Sequence, residues 1–176
     1  MKIPRLVLIA YAIAILVIAL DQWTKYAVLG SVDASDIAQI PNGYRFGTVI
    51  PGLFDLTMVR NTGVSFGLFG GGEARWVLAA FSILVAGALI WWATQARRGL
   101  LIGAIGLVIG GAIGNAIDRV RFGYVIDFID VSGLGFFPWV FNIADSAITI
   151  GVLLLILDSL VSDRKTATVG AANEKA

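Results

Sequence analysis

The sequence predicts a mainly α membrane protein, a four-transmembrane-helix bundle with a small extracytoplasmic β-element (a β-cradle), and three observations predict it. Of the 176 residues, 58% are hydrophobic and 14% charged, and the mean hydropathy is +0.87, well outside the range of soluble domains. Four apolar runs reach the roughly 20 residues needed to cross about 30 Å of hydrocarbon at 1.5 Å per residue. Between the first and second runs lies a segment punctuated by turn residues at strand-length intervals.

The first span, about 6–28, opens on the apolar run Leu6 to Leu20 behind Lys2 and Arg5, and continues through Asp21, Trp23 and Lys25. A basic start and apolar centre also suit a signal peptide. However, no small-residue cleavage site follows, and Asp21-Gln22-Trp23-Thr24-Lys25 keeps a helical pattern. The extracytoplasmic segment, about 30–73, contains Pro41-Asn42-Gly43, then Tyr44 to Ile50, Pro51-Gly52, and Leu53 to Arg60, which read as a short sheet resting on the membrane. Gly70-Gly71-Gly72 forms a flexible joint into the second span, about 75–95.

The third span, about 100–119, carries Gly106, Gly110 and Gly114 at intervals of four, with Gly103 and Gly111 beside them. Such a small-xxx-small face lets another helix approach closely. The fourth span is about 142–161. Residues 1–161 thus form a single membrane domain, and the polar, small-residue tail 162–176 is expected to be disordered.

Four spans place both termini on one side. Lys and Arg totals do not orient the chain, with seven of the 13 on the side of the termini and six on the other. The short turn Gln95-Ala96-Arg97-Arg98-Gly99 does, because it carries two arginines and no acid, and short loops obey the positive-inside rule best. The turn and both termini are therefore assigned to the cytoplasm. Residues from about 30 to 75 and about 120 to 141 are assigned to the outside.

The absence of His and Cys from the sequence removes the side chains that most hydrolases use as base, thiol nucleophile or zinc ligand. Acid-base chemistry must fall to Asp, Glu, Lys or Tyr. A net charge of +1 without a basic stripe gives no sign of a nucleic-acid partner.

Ionisable residues at membrane depth are expensive and become a functional hypothesis by default. Here Asp21 and Lys25 end the first span, Arg60 and Asn61 precede the second, Asn115, Asp118 and Arg119 end the third, and Asn142 and Asp145 start the fourth. In an antiparallel bundle these ends share one face, the outer one. Each group also has a purely structural reading. Asp21 and Lys25 are four apart and can form a helix pair; Asn142 and Asp145 suit an N-cap with an acid at N3; Asn115 and Arg119 suit packing or cap contacts; Asp118 can pair with Arg119 or Arg121. Asp127 stands in Tyr124-Val125-Ile126-Asp127-Phe128-Ile129, a run otherwise fit for burial, and a buried carboxylate needs a partner or a proton. Two aspartates held close share a proton, so that one can activate water while the other hydrogen-bonds a scissile carbonyl. That chemistry needs neither His, Cys nor metal. Spacing alone leaves several acid pairs open.

The motifs Asp21-Gln22-Trp23-Thr24-Lys25, Arg60-Asn61-Thr62-Gly63-Val64-Ser65-Phe66, Gly110 through Arg119, Val125-Ile126-Asp127-Phe128 and Phe141 through Ala147 resemble, in order and spacing, those of bacterial lipoprotein signal peptidases. The resemblance covers about residues 6 to 160. It implies that Asp127 and Asp145 are the catalytic dyad of an aspartic endopeptidase, supported by Asp21, Lys25, Asn61, Gly63, Asn115, Asp118, Arg119 and Asn142. It also implies cleavage of diacylglyceryl-modified prolipoproteins just before the lipidated cysteine, on the outer face of the cytoplasmic membrane. Lipidated precursors and membrane lipid are the expected partners, the chain is expected to act as a monomer, and no cofactor or metal is expected. Ser65 stands where many members of that family carry alanine, and the loop Asp130 to Trp139 matches no motif.

Three other readings make different demands. A transporter or channel subunit needs charges near the middle of its spans rather than at one face. A Ser/Lys protease needs Lys25 beside Ser65 or Ser146. A scaffold subunit needs no acid pair.

Overall fold

The computed structural model describes residues 5–32, 40–63 and 73–173, with side chains through residue 162. Among these residues the chain forms helices α1 (Arg5–Ser31), α2 (Ala74–Gln95), α3 (Gly99–Phe122) and α4 (Ile143–Asn173), and strands β1 (Tyr44–Ile50), β2 (Phe54–Asn61), β3 (Val125–Asp130) and β4 (Val140–Phe141). The predicted Gly70-Gly71-Gly72 joint and Ser65 lie outside the described residues. All four helices are long and apolar enough to cross a membrane, α4 over Ile143–Ser162. Beyond that span its helical backbone continues to Asn173, through the polar stretch that composition alone reads as disordered. Propagating an established helix is far easier than nucleating one.

The third helix is the axis of the bundle. Over its most apolar stretch 72% of its residues are buried, against 28% for α1 and 22% each for α2 and α4. Glycine explains how it holds three neighbours. A Cβ on Gly106 would stand 2.6 Å from the Ala10 carbonyl oxygen, and one on Gly110 2.6 Å from Val17 Cβ, so α1 lies backbone-close along this stripe. On another face Gly111 lies against the Ala144 carbonyl, and a Cβ on Gly151 of α4 would stand 2.6 Å from a Val108 methyl. The expected glycine face is thus a packing face for two helices, although Gly103 meets nothing within 4 Å. Helix α2 docks on α3 through Ala79, Ala86 and Ala93, one buried alanine every seven residues.

The turn between α2 and α3 is tied to α4 by an ion pair, Arg98 Nη2 to Asp158 Oδ2 at 2.7 Å. At its other end α3 stops at Gly123, whose φ of +85° is the left-handed conformation of a helix C-cap, and whose N–H bonds the Arg119 carbonyl at 3.1 Å.

The sheet is antiparallel, in the order β1-β2-β3-β4. Its first half is the expected hairpin, turning through Gly52 at φ +74° with Ile50 opposite Phe54. Its second half extends the expectation, because the apolar run around Asp127 is also a strand. Val59 pairs with Asp127 and Asn61 with Val125, and Ile129 pairs with Phe141 of β4. One sheet therefore joins the segment between α1 and α2 to the segment between α3 and α4 and lies over the ends of α1, α3 and α4.

Candidate active site

Each of the two singled-out aspartates sits one step inside a regular element. Asp127 is the third residue of β3, 1% exposed. Asp145 is in the first turn of α4 and half-buried. Two asparagines connect them. Asn142 Nδ2 donates to Asp127 Oδ1 at 2.7 Å and to Asn115 Oδ1 at 3.2 Å, while Asn115 Nδ2 donates to Asp145 Oδ1 at 2.7 Å. Asn142 also caps α4, its Oδ1 accepting the Asp145 N–H at 2.9 Å. The capping role and the bridging role, which are alternatives in sequence, belong to opposite ends of one amide group.

From the sheet side, Asn61 Nδ2 donates to Asp127 Oδ2 at 2.9 Å, and its Oδ1 accepts the Gly63 N–H at 2.8 Å. Gly63 has φ +73°, and a Cβ there would stand 2.5 Å from Leu78 Cδ1, so both conformation and space call for glycine. Burial, with the Asp145 charge adding to it, pushes the Asp127 carboxyl up to about 7, against the hydrogen bonds of Asn61 and Asn142 and the Lys25 charge. A carboxyl held this high can carry a proton near neutral pH.

The remaining predicted residues form the layer beneath. Lys25 Nζ is 2.8 Å from Asp21 Oδ2, 2.8 Å from Asp118 Oδ2 and 3.2 Å from Asn115 Oδ1. Asp118 pairs with Lys25 rather than with Arg119 or Arg121, because it faces α1 across the glycine stripe, where a Cβ on Gly114 would stand 2.7 Å from Asp21 Oδ2. Arg119 reaches back to the Asn115 carbonyl at 3.4 Å and, with Asn115 and Asp145, lines a groove of about 310 Å³ whose apolar wall comes from Leu78 and Phe81. All ten predicted residues are therefore brought to one end of the bundle.

Sequence reasoning passed over Gln22, whose Nε2 donates to Asp118 Oδ1 at 2.9 Å and to the Gly114 carbonyl at 3.3 Å. Its place beside Asp21 at membrane depth was the available signal. It also matched the loop after β3 to no motif. Asp130 anchors that loop by accepting from Thr57 at 2.7 Å and from the Ser132 N–H at 3.0 Å. Burial acts to raise the Asp130 carboxyl, but these hydrogen bonds and the Arg45 charge outweigh it and hold the group below its usual range. The loop then lays Phe137 and Trp139 along a cavity of about 620 Å³ that also touches Asn61, Phe141, Asp145 and Thr149. A third cavity, about 530 Å³, reaches Asp127 between Arg60-Asn61-Thr62-Gly63 and Pro138-Trp139.

Two rival readings meet this geometry directly. Lys25 is 2% exposed and engaged by Asp21, Asp118 and Asn115, while Ser146 Oγ donates to the Asn142 carbonyl at 2.9 Å. That pair is not arranged as nucleophile and base, and Ser65 lies outside the described residues. A transporter would carry its charges at mid-span, whereas among the described residues the buried polar side chains, Asp158 at the turn end apart, cluster at the sheet end.

Comparison with known proteins places this arrangement. A family model described as signal peptidase (SPase) II matches residues 13–161. The lipoprotein signal peptidase of Caulobacter vibrioides is 51% identical over 165 residues, 93% of each chain, and that of Shouchella clausii is 41% identical over 157 residues, 88% of this chain and 95% of the other. A bacterial membrane enzyme solved by the in meso method at 1.9 Å resolution is 35% identical and superposes with a TM-score of 0.71, covering 86% of this chain and 92% of that one. With its four membrane-spanning helices and its sheet-capped polar end, the chain belongs to the signal peptidase II family, bacterial multi-pass membrane proteases that remove signal peptides from lipoproteins.

Proposed function

We propose that this protease is of the aspartic type, with Asp127 and Asp145 as its dyad. The observation that carries this reading is the pair of asparagine bridges that fastens a carboxyl of raised affinity for protons to a second carboxylate, with two cavities opening beside Asp145 and one beside Asp127. In this reading Asp127, whose carboxyl is pushed up, holds the shared proton and Asp145 acts as the base. Asp145 takes a proton from a water as the water oxygen attacks the scissile carbonyl carbon, and the Asp127 proton passes to the carbonyl oxygen. Collapse of the gem-diol returns that proton to Asp127 as Asp145 protonates the leaving nitrogen. The C–N bond breaks, leaving a signal peptide with a new carboxylate and a mature chain with a free amine.

The substrate is a diacylglyceryl-modified prolipoprotein, cut just before the lipidated cysteine. Three chains leave such a scissile bond: a membrane-embedded signal peptide, a pair of acyl tails and a polar mature chain. The cavities match in kind, since two have apolar walls beside Asp145 and the third is lined by Arg60, Asn61 and Thr62 beside Asp127. Both aspartates come from one chain, so a monomer suffices.

The short basic turn supports an orientation with residues 97–98 and both termini in the cytoplasm and the site on the extracytoplasmic face. Single cysteines introduced at positions 42 and 97, in a chain that has none, test this. An impermeant thiol reagent on intact cells should label 42 and spare 97, and the reverse pattern overturns the orientation. The chemistry is tested by cleavage of a lipidated precursor peptide, comparing wild type with Asp127→Asn and Asp145→Asn. Turnover should be lost in both, and a folded variant with near-normal turnover refutes the dyad.

A further inference from the structure

The buried layer beneath the aspartates has a two-sided regularity that charge balance alone does not demand. Lys25 donates hydrogen bonds to Asp21 at 2.8 Å and Asn115 at 3.2 Å and forms an ion pair with Asp118 at 2.8 Å. Asp21 Oδ1 in turn accepts the N–H of Ala144 at 3.0 Å, one residue before Asp145. Asp118 Oδ2 accepts the N–H of Ile126 at 3.1 Å, one residue before Asp127. Asn115, the third partner, donates directly to the Asp145 carboxylate at 2.7 Å. We propose that Lys25 is a positioning residue that sets the separation of the two aspartates, its ammonium yoking through Asp21 and Asp118 the backbone at the start of α4 and the backbone of β3. The proposal rests on the aspartic reading above.

A yoke is needed because the two aspartates belong to elements of different kinds. Asp127 is on a strand held by sheet hydrogen bonds to β2, and Asp145 is on a helix that packs against α3. Sheet pairing reaches the start of α4 through the two-residue β4, where Phe141 stands opposite Ile129, and the Asn142 amide adds one bond to Asp127; neither holds the backbone at Ala144. The Lys25 network spans that joint from α1, a third element, and Gln22 on the same helix adds bonds to Asp21 at 3.2 Å and Asp118 at 2.9 Å. Asp21, Lys25 and Asp118 are 0%, 2% and 0% exposed, so water cannot substitute for any arm. Buried ionic groups of this kind are best attested where they specify one arrangement over its neighbours.

The experiment compares purified full-length variants on a diacylglyceryl-cysteine peptide, reading kcat, KM, the pH dependence of kcat and Tm together. Lys25→Met leaves two buried carboxylates uncompensated and can fail to fold. A triple variant, Lys25→Met with Asp21→Asn and Asp118→Asn, therefore removes the charges while keeping amide oxygens to accept the Ala144 and Ile126 N–H groups. Lys25→Arg keeps the charge and changes the reach. The triple variant should melt close to wild type yet lose about 100-fold in kcat with little change in KM, the scale expected of a misplacement near 1 Å. Where Lys25→Met folds, the alkaline limb of its kcat profile should move up in pH. Asp127 is then faced by Asp145 from α4 and Arg119 from α3 without the Lys25 charge from α1. Lys25→Arg should lose kcat with that limb unmoved. Wild-type kcat in a folded triple or Lys25→Arg variant, or an unmoved limb in a folded Lys25→Met, overturns the yoke. Asp127→Asn and Asp145→Asn are measured beside them: turnover retained in either overturns the aspartic reading itself, whereas loss in both with wild-type behaviour at Lys25 overturns only the yoke.

Discussion

The two ends of the bundle solve the same packing problem with different materials. At the turn end, α2, α3 and α4 are closed by small apolar side chains, Ala86, Ala93 and Ala96 among them, and by one ion pair, Arg98 with Asp158. At the sheet end the same helices and α1 enclose Asp21, Lys25, Asp118 and Asn142, each 2% exposed or less, with Asp127 above them. Burying an ion costs several kcal/mol even after relaxation. The turn end demonstrates that this fold can be closed without such a concentration. The proposed active site accounts for the excess at the sheet end, and perturbations of the two ends should separate turnover from stability.

The largest separation is expected at the dyad. Asp127→Asn or Asp145→Asn should lower kcat by at least about 1,000-fold with Tm nearly unchanged, and the double variant should be scarcely slower than either single one, because residues that act as a unit are strongly non-additive. Stopped-time cleavage assays and thermal melts in one detergent give both numbers. Losses that multiply in the double variant break the comparison, since they make the two carboxylates independent contributors.

Next in size is the dependence on substrate lipid. Acyl chains contribute roughly 0.8 kcal/mol per buried CH₂, so a diacylglyceryl-cysteine peptide should exceed its free-cysteine counterpart by 100-fold or more in kcat/KM. Comparable rates on the two peptides at matched concentration would leave a protease indifferent to the apolar cavities beside Asp145.

A smaller and graded effect is expected from pH. Asp127 has its folded-state carboxyl raised from 3.8 to about 7 by burial and by the Asp145 charge. A raised carboxyl favours the folded state fully below its unfolded value, and that contribution is lost as pH rises from about 4 to about 7. On the proposed mechanism turnover needs the proton on Asp127, and it should decline above about pH 7 by up to tenfold per unit. A rate profile flat from pH 6 to 9 contradicts the assignment of the shared proton.

How much of this was legible beforehand differs by the same geography. The spans could be read because hydropathy is a property of each segment alone, and the β1–β2 hairpin because Pro51-Gly52 marks its turn. Strand β3 could not, since Val125 to Asp130 is too short and too apolar to reveal a period of two, and its partner Asn61 lies 66 residues from Asp127. The polar residues could be listed from the span ends, and so could the local partners, Asp21 with Lys25 and the Asn142 cap of Asp145, but partners on other elements could not. Asp118 has arginines nearby in sequence and finds Lys25 on α1 instead. The choice of Asp127 and Asp145 from several acid pairs came from motif resemblance, because spacing carries no information on which span ends face one another. The loop carrying Phe137 and Trp139 has no motif at all, and only its fold against α4 gives it a cavity to line.

The smallest effect is expected at the turn end, where Arg98→Ala removes the ion pair with Asp158. The aspartate side chain is 7% exposed but the arginine is 47% exposed, so solvent screening reduces the loss well below that of a fully buried pair. A destabilisation of about 1 kcal/mol is expected, visible as a modest fall in Tm. Turnover should not change, because the pair joins the α2–α3 turn to the far end of α4 and touches none of the residues around Asp127 and Asp145. The measurement is a melt and a kcat on the same preparation, with Asp158→Asn as a partner variant that removes the same charge pair from the other side. If either substitution lowers kcat as strongly as it lowers stability, the two ends are coupled through α4. The turn end would then have to be counted as part of the working machinery.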